Sequence, residues 1–348
     1  MNTPRWKWQP VSRQTGAVKP DRVAVLGCGP AGAAAAITLA AHGITPVVID
    51  PRPPAAWEPG EGLPAAAGAL LRKLGVWESF QAGGHLRCSG FLSCWGSDSP
   101  AYRPALLDPR GASWQLDRPA FNRVLREAAG PIHTERITDI ASLERFQADF
   151  LIDASGRSSV LARLLGIPRR VHSRLVAMVA LVPDPTPSDA TSIVEAVTDG
   201  WWYVSRVPGD KVVVALFTDA TIARRVAPAG LLEATAHAGP RAGFPSPTFT
   251  IVSAGSSALA QFAGPGWLAV GDAACAHDPL SSRGLHDALS GGIAAAEAVA
   301  LGEPSAIAAY ASRVAADYRT YLDDLAWFYR QEKRFPGSAF WDRRSAPV

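Results

Sequence analysis

A short β-branched run, a glycine-rich turn and a small-residue helix follow one another early in this chain. Residues Arg22–Gly27 predict a strand, Ala33–His42 predict a helix, and Thr45–Asp50 predict a second strand. The turn spells GxGxxG with Gly27, Gly29 and Gly32. In such a unit the first glycine makes a tight turn, the second lets the backbone approach a pyrophosphate, and the third lets helix and strand pack closely. The sequence therefore predicts a dinucleotide-binding α/β unit.

The residues around this turn carry the expected ligand contacts. The helix begins near Pro30 and Ala31, where free N–H groups and the positive end of the helix dipole suit phosphate. Asp50 ends the second strand 18 residues after Gly32, where a carboxylate can hold ribose hydroxyls. We place Arg52, two residues further on, among the same contacts.

Composition narrows the class of protein. The 348-residue chain is 48% hydrophobic and 19% charged, which excludes disorder for its bulk, and a net charge of +3 is too small to indicate nucleic-acid binding. No run reaches the roughly 18 apolar residues of a membrane span, and residues 1–20 lack the apolar stretch of a secretory signal, so we expect a cytoplasmic protein.

The four cysteines form no CxxC pair. We therefore expect no metal site, and free thiols rather than a Cys88–Cys94 disulfide.

The rest of the chain alternates between helical and strand patterns. One helix is predicted over residues 65–80 and another over 117–129, with Asp117 as its cap and Pro119 in its first turn. Residues 148–153 predict a strand that enters a second glycine turn, and residues 160–165 a helix. Between residues 171 and 252 the pattern is that of an antiparallel sheet. A further strand is predicted to end at Gly271. Two long helices follow it, one that ends at Ala300 and one over residues 305–332.

Two later motifs identify a family. Asp153-Ala-Ser-Gly156 and Gly271-Asp272 each end a predicted strand. Together with GxGxxG they resemble the fingerprints of group A FAD-dependent monooxygenases and flavin-dependent tryptophan halogenases, over about residues 20 to 344. The resemblance implies an α/β fold with a three-layer ββα Rossmann-like FAD-binding domain of the glutathione-reductase type. That domain would comprise residues 20–170 and 256–304, with a mostly antiparallel substrate domain inserted at 171–255, part of 81–113 on the substrate side, and a C-terminal helix and tail at 305–348.

The same resemblance implies the FAD contacts. Asp272 would bind the ribityl chain, and Pro279 to Leu285 would line the flavin. The N–H groups of Gly284 and Leu285 would stabilise negative charge on the ring, as a helix N-terminus does. Arg118, at the start of a helix, would also contact FAD. The remaining implied contacts are Ser155, Gly156 and Gly271.

The second motif departs from the family pattern. It begins Asp-Ala where the usual form begins Asp-Gly, a form associated with both FAD and NAD(P)H. The source of electrons therefore stays open between NAD(P)H and a separate flavin reductase acting as a partner.

Six shorter pieces together resemble one branch of the family. They are residues 60–64, 95–98, 114–118, 199–203, 278–284 and 328–336. This branch hydroxylates a tryptophan of a partner protein during tryptophylquinone cofactor biosynthesis. The resemblance implies a monooxygenase that needs reduced flavin and O2 and that hydroxylates an aromatic ring through a C4a-hydroperoxyflavin, with a protein or peptide as substrate. The alternatives are hydroxylation of a small aromatic natural product, halogenation, and reduction of isoprenoid double bonds.

The catalytic candidates follow from this chemistry. Flavin halogenases need a lysine between flavin and substrate, and this chain has lysine only at positions 7, 19, 73, 211 and 333, which disfavours halogenation. The general-base candidates are His277, Asp278, His286 and Asp287, with Asp278 alternatively a turn cap and Asp287 alternatively a helix cap. Glu61 is a further catalytic candidate, expected in the flavin pocket. Strand alternation sends Trp201 and Tyr203 to one face and Trp202 to the other, where they form either sheet core or a substrate wall. The C-terminal tail with Trp341 either covers the FAD-binding domain or binds a partner.

Overall fold

The computed structural model describes residues 19–53, 57–186, 189–243 and 247–345. The expectation about residues 1–18 lies outside this part of the chain. The strands are β1 (Arg22–Leu26), β2 (Thr45–Ile49), β3 (Gly62–Leu63), β4 (Leu86–Arg87), β5 (Gly90–Cys94), β6 (Ala101–Pro104), β7 (Trp114–Gln115), β8 (Ile132–His133), β9 (Phe150–Asp153), β10 (Arg169–Val171), β11 (Leu175–Pro183), β12 (Thr191–Val197), β13 (Gly200–Val207), β14 (Lys211–Asp219), β15 (Thr250–Ser253), β16 (Ser257–Leu259), β17 (Ala263–Gly264), β18 (Trp267–Ala269) and β19 (Cys275–Ala276).

The helices are α1 (Pro30–Ala41), α2 (Ala67–Lys73), α3 (Trp77–Gln81), α4 (Arg118–Ala128), α5 (Ala141–Glu144), α6 (Val160–Leu164), α7 (Ala220–Ala223), α8 (Pro228–Glu233), α9 (Ala238–Ala242), α10 (Gly284–Ala300), α11 (Pro304–Gln331) and α12 (Ala339–Ser345). Among the described residues, none of these helices combines the length and the apolar character that a membrane crossing needs.

A six-stranded sheet with the order β17-β18-β9-β1-β2-β8 forms the centre of the nucleotide-binding part. All its pairings are parallel except β17 with β18. Val23 and Val25 face α1 and α10, whereas Ala24 and Leu26 face α6 and the small sheet β10-β16-β19. This arrangement confirms the predicted α/β fold with a three-layer ββα architecture. The carboxyl ends of parallel strands meet at one edge, which is where ligands bind in such sheets.

A second sheet has the order β15-β11-β14-β13-β12-β5-β6. Its strands are antiparallel neighbours except β12 and β5, which pair in parallel. The strands predicted between residues 171 and 252 are confirmed, and β5 and β6 extend the sheet from the loop-rich region 81–113. The β12–β5 pairing joins strands about a hundred residues apart in sequence, so no local turn signal announces it.

The single helix predicted over residues 65–80 is wrong. The structure divides it into α2 and α3, and Gly75 lies between them with φ of +71°. A glycine in this left-handed conformation ends a helix because the next backbone groups no longer continue the helical hydrogen bonding. The apolar periodicity survives the break, since Leu71, Leu74 and Phe80 are all buried in the same cluster.

The C-terminal tail packs against the seven-stranded sheet. Trp341 is 3% exposed and donates from Nε1 to the carbonyl of Val197 at 2.9 Å. Arg344 pairs with Asp219 at 2.8 Å. The tail therefore covers this sheet, and the expectation that it covers the FAD-binding domain is wrong. The expected free thiols are confirmed, because all four cysteines are unpaired and buried.

Candidate functional site

A cavity of about 590 Å³ lies between the carboxyl edge of the parallel sheet and one face of the seven-stranded sheet. Residues that follow β1, β2, β9 and β18 line it from the parallel side. Side chains of β11, β12, β13 and β14 line it from the other side. In the described part of the chain, no group of three or more His, Cys, Asp or Glu side chains is placed to hold a metal ion.

The glycines of the first motif have different roles. A Cβ at Gly32 would lie 1.9 Å from the carbonyl oxygen of Gly27, so this glycine permits close packing of α1 on the turn. Gly27 has φ of +99°, a conformation that favours glycine. A Cβ at Gly29 would meet no atom within 4 Å, and Gly29, Pro30 and Ala31 line the cavity. No side chain caps α1, which leaves its first N–H groups available to a phosphate.

Asp50 lies at the cavity edge but is only 1% exposed. Its carboxylate accepts hydrogen bonds from Cys28 N at 2.9 Å and Arg126 Nη1 at 2.9 Å. Burial opposes ionisation, but hydrogen bonds from Arg52 and Cys28 outweigh it and lower the pKa of Asp50. Sequence analysis missed Arg126, which lies two helical turns after Arg118 on α4. That spacing places both side chains on the face of α4 that turns toward the cavity.

Arg118 carries donors that find no partner in the described structure. Its side chain is 9% exposed, and Nε and Nη1 are buried without a hydrogen bond. Glu58 lies 3.7 Å from Nη2, and burial lowers the pKa of the guanidinium. Asp117 caps α4, as predicted, by accepting from Ala120 N at 2.8 Å. Since unpaired buried donors are costly, this arginine fits a ligand that supplies acceptor oxygens, as FAD does.

The third motif faces Arg118 across the cavity. Asp272 lines the cavity and is 40% exposed at its side chain. Pro279, Gly284 and Leu285 also line it, and α10 begins at Gly284, so the first N–H groups of that helix lie at the cavity. The open turn at Gly29, the unpaired donors of Arg118 and this second helix N-terminus together fit FAD.

Four residues predicted to bind the cofactor do not line this cavity, and their contacts lie within the protein: Gly27, Gly32, Ser155 and Gly271. At Gly271, with φ of +59°, a Cβ would lie 2.8 Å from the Cβ of Ala31, so glycine lets the third motif approach the first. The Ser155 hydroxyl donates to Asp153 at 2.5 Å and accepts from Val160 N at 2.7 Å. Of the second motif, Ala154 and Gly156 reach the cavity.

Two of the general-base candidates differ in their position relative to the cavity. His286 does not line the cavity, and its Nδ1 lies 3.2 Å from the neighbouring Asp287. Asp278 is 1% exposed; one oxygen accepts from Leu280 N at 3.0 Å and the other from the Tyr329 hydroxyl at 2.9 Å. Burial raises the pKa of Asp278. His286 thus lies outside the cavity, whereas Asp278 lines it and also caps the turn at Pro279–Ser281.

Glu61 is the remaining carboxyl group among the predicted catalytic residues that line the cavity. It is 5% exposed and lines the cavity, and Gly60 N donates to it at 3.0 Å. Burial raises the pKa of Glu61, against the opposing effects of the Tyr203 hydroxyl and the Arg118 guanidinium. Burial also raises the pKa of Tyr203 well above its usual range, so burial favours the neutral form of both groups.

Trp201 and Tyr203 both line the cavity, as strand alternation predicts. Trp202 is fully buried in an apolar cluster on the opposite face of the sheet. Trp201 stacks on Phe217, with ring centroids 4.0 Å apart and planes inclined by 17°. Its Nε1 donates to the Tyr329 hydroxyl at 3.2 Å. Trp201 therefore combines features of both roles, since it lines the cavity but is 2% exposed and belongs to an apolar cluster of this sheet.

Sequence analysis missed Phe217 and Tyr329. Phe217 pairs directly with Trp201 across β13 and β14, a register that the Gly209-Asp210 turn between the two strands could have supplied. Tyr329 lies on α11, and no local pattern relates it to the cavity.

Comparisons with known proteins agree with this architecture. The family model for "Tryptophan halogenase" matches residues 109–347, and that for "FAD binding domain" matches residues 21–143. LodB of Marinomonas mediterranea, named as an FAD-dependent oxidoreductase, is 28% identical over 92% of this chain and 96% of its own length. The fold resembles the flavin-dependent halogenase CmlS, with a TM-score of 0.79, 24% identity and coverage of 96% of this chain and 68% of that one. It also resembles the peptidyl tryptophan dihydroxylase QhpG, with a TM-score of 0.76, 24% identity and coverage of 94% and 79%.

Proposed function

Since this chain belongs to the tryptophan halogenase family and is an FAD-dependent oxidoreductase, we propose that it hydroxylates an aromatic ring, with a tryptophan side chain of a partner protein or peptide as the substrate. The observation that carries the proposal is the aromatic wall formed by Trp201, Phe217 and Tyr203 opposite the FAD-binding edge. A planar ring can stack on this wall, and an aromatic pair contributes about 0.5–1.5 kcal/mol beyond the area that it buries.

The residues around the cavity have distinct roles. Reduced FAD held here would supply the two electrons for O2 activation, with one oxygen atom entering the ring and the other leaving as water. The Gly29 turn and the N-terminus of α1 hold the pyrophosphate, and Asp272 and Arg118 orient the rest of the cofactor. Val194, Val213 and Ala215 line the cavity and keep water away from the reacting atoms.

Glu61 supplies a proton-bearing group beside the wall. Because its pKa is raised, the carboxyl stays neutral to a higher pH than an exposed glutamate. A neutral carboxyl donates a hydrogen bond through its O–H and accepts one at its other oxygen. Glu61 can therefore hold an N–H or O–H group of the substrate, or donate to an oxygen atom in the cavity.

The described lysines support oxygen transfer over halogen transfer. Lys73 pairs with Glu297 at 2.6 Å and is 55% exposed, away from the cavity. Lys19 and Lys211 are also exposed, as is Lys333. Halogenation remains the second candidate, because the family model that matches residues 109–347 is that of tryptophan halogenase.

A polypeptide substrate is supported by the surface beside the cavity mouth. Phe91 lines the cavity and is 39% exposed. The turn after β6 exposes Leu106 at 93% and Leu107 at 70%, directly before Asp108, which also lines the cavity. Exposed apolar groups next to a reaction site suit a chain that must dock before one of its side chains enters. QhpG, one of the proteins with this fold, is a peptidyl tryptophan dihydroxylase.

The test is mass spectrometry after incubation of the FAD-loaded protein with a reductant, labelled O2 and bromide. The substrates are a synthetic peptide with a central tryptophan, the same peptide with phenylalanine there, and free tryptophan. We expect labelled oxygen in the tryptophan peptide alone. Labelled oxygen in free tryptophan only would contradict the polypeptide substrate. Incorporation of bromine, or flavin turnover that leaves every substrate unmodified, would contradict hydroxylation.

A further inference from the structure

We propose that Arg157 is a positioning residue for FAD: it holds the carboxylate of Asp272 in the orientation that the cofactor needs. Arg157 follows the second motif, and Asp272 lies in the third, 115 residues later in the chain. Their side chains meet at the cavity, with Arg157 Nε 3.3 Å from Asp272 Oδ2. This inference rests on FAD binding and does not depend on the proposed hydroxylation.

Arg157 is itself held at both of its terminal nitrogens. Nη1 donates to the carbonyl of Gly255 at 2.7 Å, and Nη2 donates to the carbonyl of His277 at 3.2 Å. Gly255 lies two residues after the end of β15, and His277 directly precedes the loop that begins at Asp278. A guanidinium fixed at two corners has little freedom left, so its charge stays beside the Asp272 carboxylate as an ion pair.

A second arginine holds the backbone of the same turn. Arg169 donates to the carbonyls of Asp272 and Ala273, the latter at 3.2 Å. The two arginines therefore act on different parts of the turn, since Arg169 fixes its backbone and Arg157 fixes the direction of the carboxylate. With its side chain 40% exposed, Asp272 would otherwise sample several rotamers.

The rest of the second motif does not compete for this role. Asp153 is fully buried and accepts from Ser155 N and Ala162 N, each at 3.1 Å, so its carboxylate caps α6. The motif that departs from the family pattern and the arginine after it thus contribute to the cavity through Ala154, Gly156 and Arg157. In this chain the geometry couples the second motif to the third.

A double-mutant cycle on cofactor affinity tests the proposal. The variants are Arg157→Gln, Asp272→Asn and the pair, and the measurement is the dissociation constant of FAD for apoprotein from flavin fluorescence. We expect each single change to weaken FAD binding about tenfold, since it removes either the carboxylate charge that would hold the ribityl chain or the ion pair that orients that carboxylate. The pair should be no weaker than the weaker single variant, because the arginine acts through the aspartate. Arg157→Lys should recover part of the loss.

ADP is the second probe, since it carries the pyrophosphate and adenosine but not the ribityl chain. Its dissociation constant should stay within about twofold of wild type in Arg157→Gln, which also shows that the variant is folded. Arg163→Gln, an exposed arginine on α6, is the matched control and should bind FAD as wild type does. Additive losses in the cycle, an equal loss of ADP affinity, or unchanged FAD affinity in Arg157→Gln would each overturn the proposal.

Discussion

The Tyr329 hydroxyl donates a 2.9 Å hydrogen bond to the carboxylate of Asp278 and accepts one of 3.2 Å from the indole nitrogen of Trp201. Asp278 begins the loop that lines the cavity up to Leu285, and Trp201 belongs to the opposite wall. Tyr329 comes from the long C-terminal helix α11. One buried hydroxyl thus sets the spacing between the cofactor side and the substrate side of the cavity.

Tyr329→Phe should therefore harm both stability and turnover. The change leaves a buried carboxylate oxygen and a buried indole N–H without a partner, which costs about 1–3 kcal/mol in the free energy of unfolding. We expect kcat to fall more than FAD affinity, because the contacts at Gly29 and Asp272 are untouched. Tyr318→Phe is the control on the same helix, since the Tyr318 hydroxyl is buried without a hydrogen bond in the described structure. Urea unfolding and steady-state kinetics on both variants check this, and equal effects would contradict it.

Two glycines of the first motif should separate folding from binding. Gly29→Val should abolish FAD binding and leave the thermal stability of the apoprotein nearly unchanged, because the new side chain points into open space where the pyrophosphate would lie. Gly32→Val should destabilise the apoprotein itself, since its Cβ would overlap the carbonyl of Gly27. Calorimetry and FAD titration measure the two effects. FAD binding by Gly29→Val at wild-type affinity would refute the assignment of the turn.

The neighbouring tryptophans of β13 should differ in what they affect. Trp201→Leu removes the stacking partner of Phe217 from the cavity wall, and we expect the KM for an aromatic substrate to rise with little change in FAD affinity. Trp202→Leu shortens a fully buried side chain on the other face, and we expect a lower free energy of unfolding with an unchanged KM. Kinetics and unfolding of the pair decide between a substrate wall and sheet core.

Glu61 should impose a pH dependence on turnover. Its raised pKa means that the neutral form is lost only as the pH rises through that higher value. If the neutral carboxyl is the hydrogen-bond donor, single-turnover rates of the wild type fall over that range. Glu61→Gln, which donates at every pH, should abolish this fall and keep FAD affinity within about twofold. A variant whose rate keeps the wild-type profile would show that another group titrates.

His85 should make folding sensitive to mild acid. Burial lowers its pKa from 6.5 to about 4, and its Nδ1 accepts from the backbone N–H of Asp117, the cap of α4. The unfolded chain therefore takes up a proton first, so stability is complete above pH 6.5 and declines as the pH falls toward 4, by up to about 3 kcal/mol. His85→Asn keeps an acceptor that does not titrate. Urea unfolding between pH 4 and 8 should show a flatter profile for this variant.

Much of the fold could be predicted because its signals are local. The GxGxxG turn, the Asp117 cap and the alternation at Trp201 and Tyr203 each depend on a few consecutive residues whose backbone preferences and spacing are independent of the rest of the chain. The sequence pattern does not predict the helix break at Gly75, because the spacing of apolar residues continues through it. The spacing of apolar residues indicates which face of a helix is buried, but it does not indicate whether the backbone turns.

The sequence by itself determined the nucleotide-binding unit, the antiparallel strands between residues 171 and 252 and the aromatic face of β13. Only the tertiary structure decided which groups reach each carboxyl group of the cavity: Gly60 N donates to Glu61, whereas the Tyr329 hydroxyl donates to Asp278. Tyr329 lies 51 residues after Asp278, and Arg157 lies 115 residues before Asp272. Contacts over such distances depend on how helices and sheets pack around the whole core, and no short stretch of sequence encodes that packing.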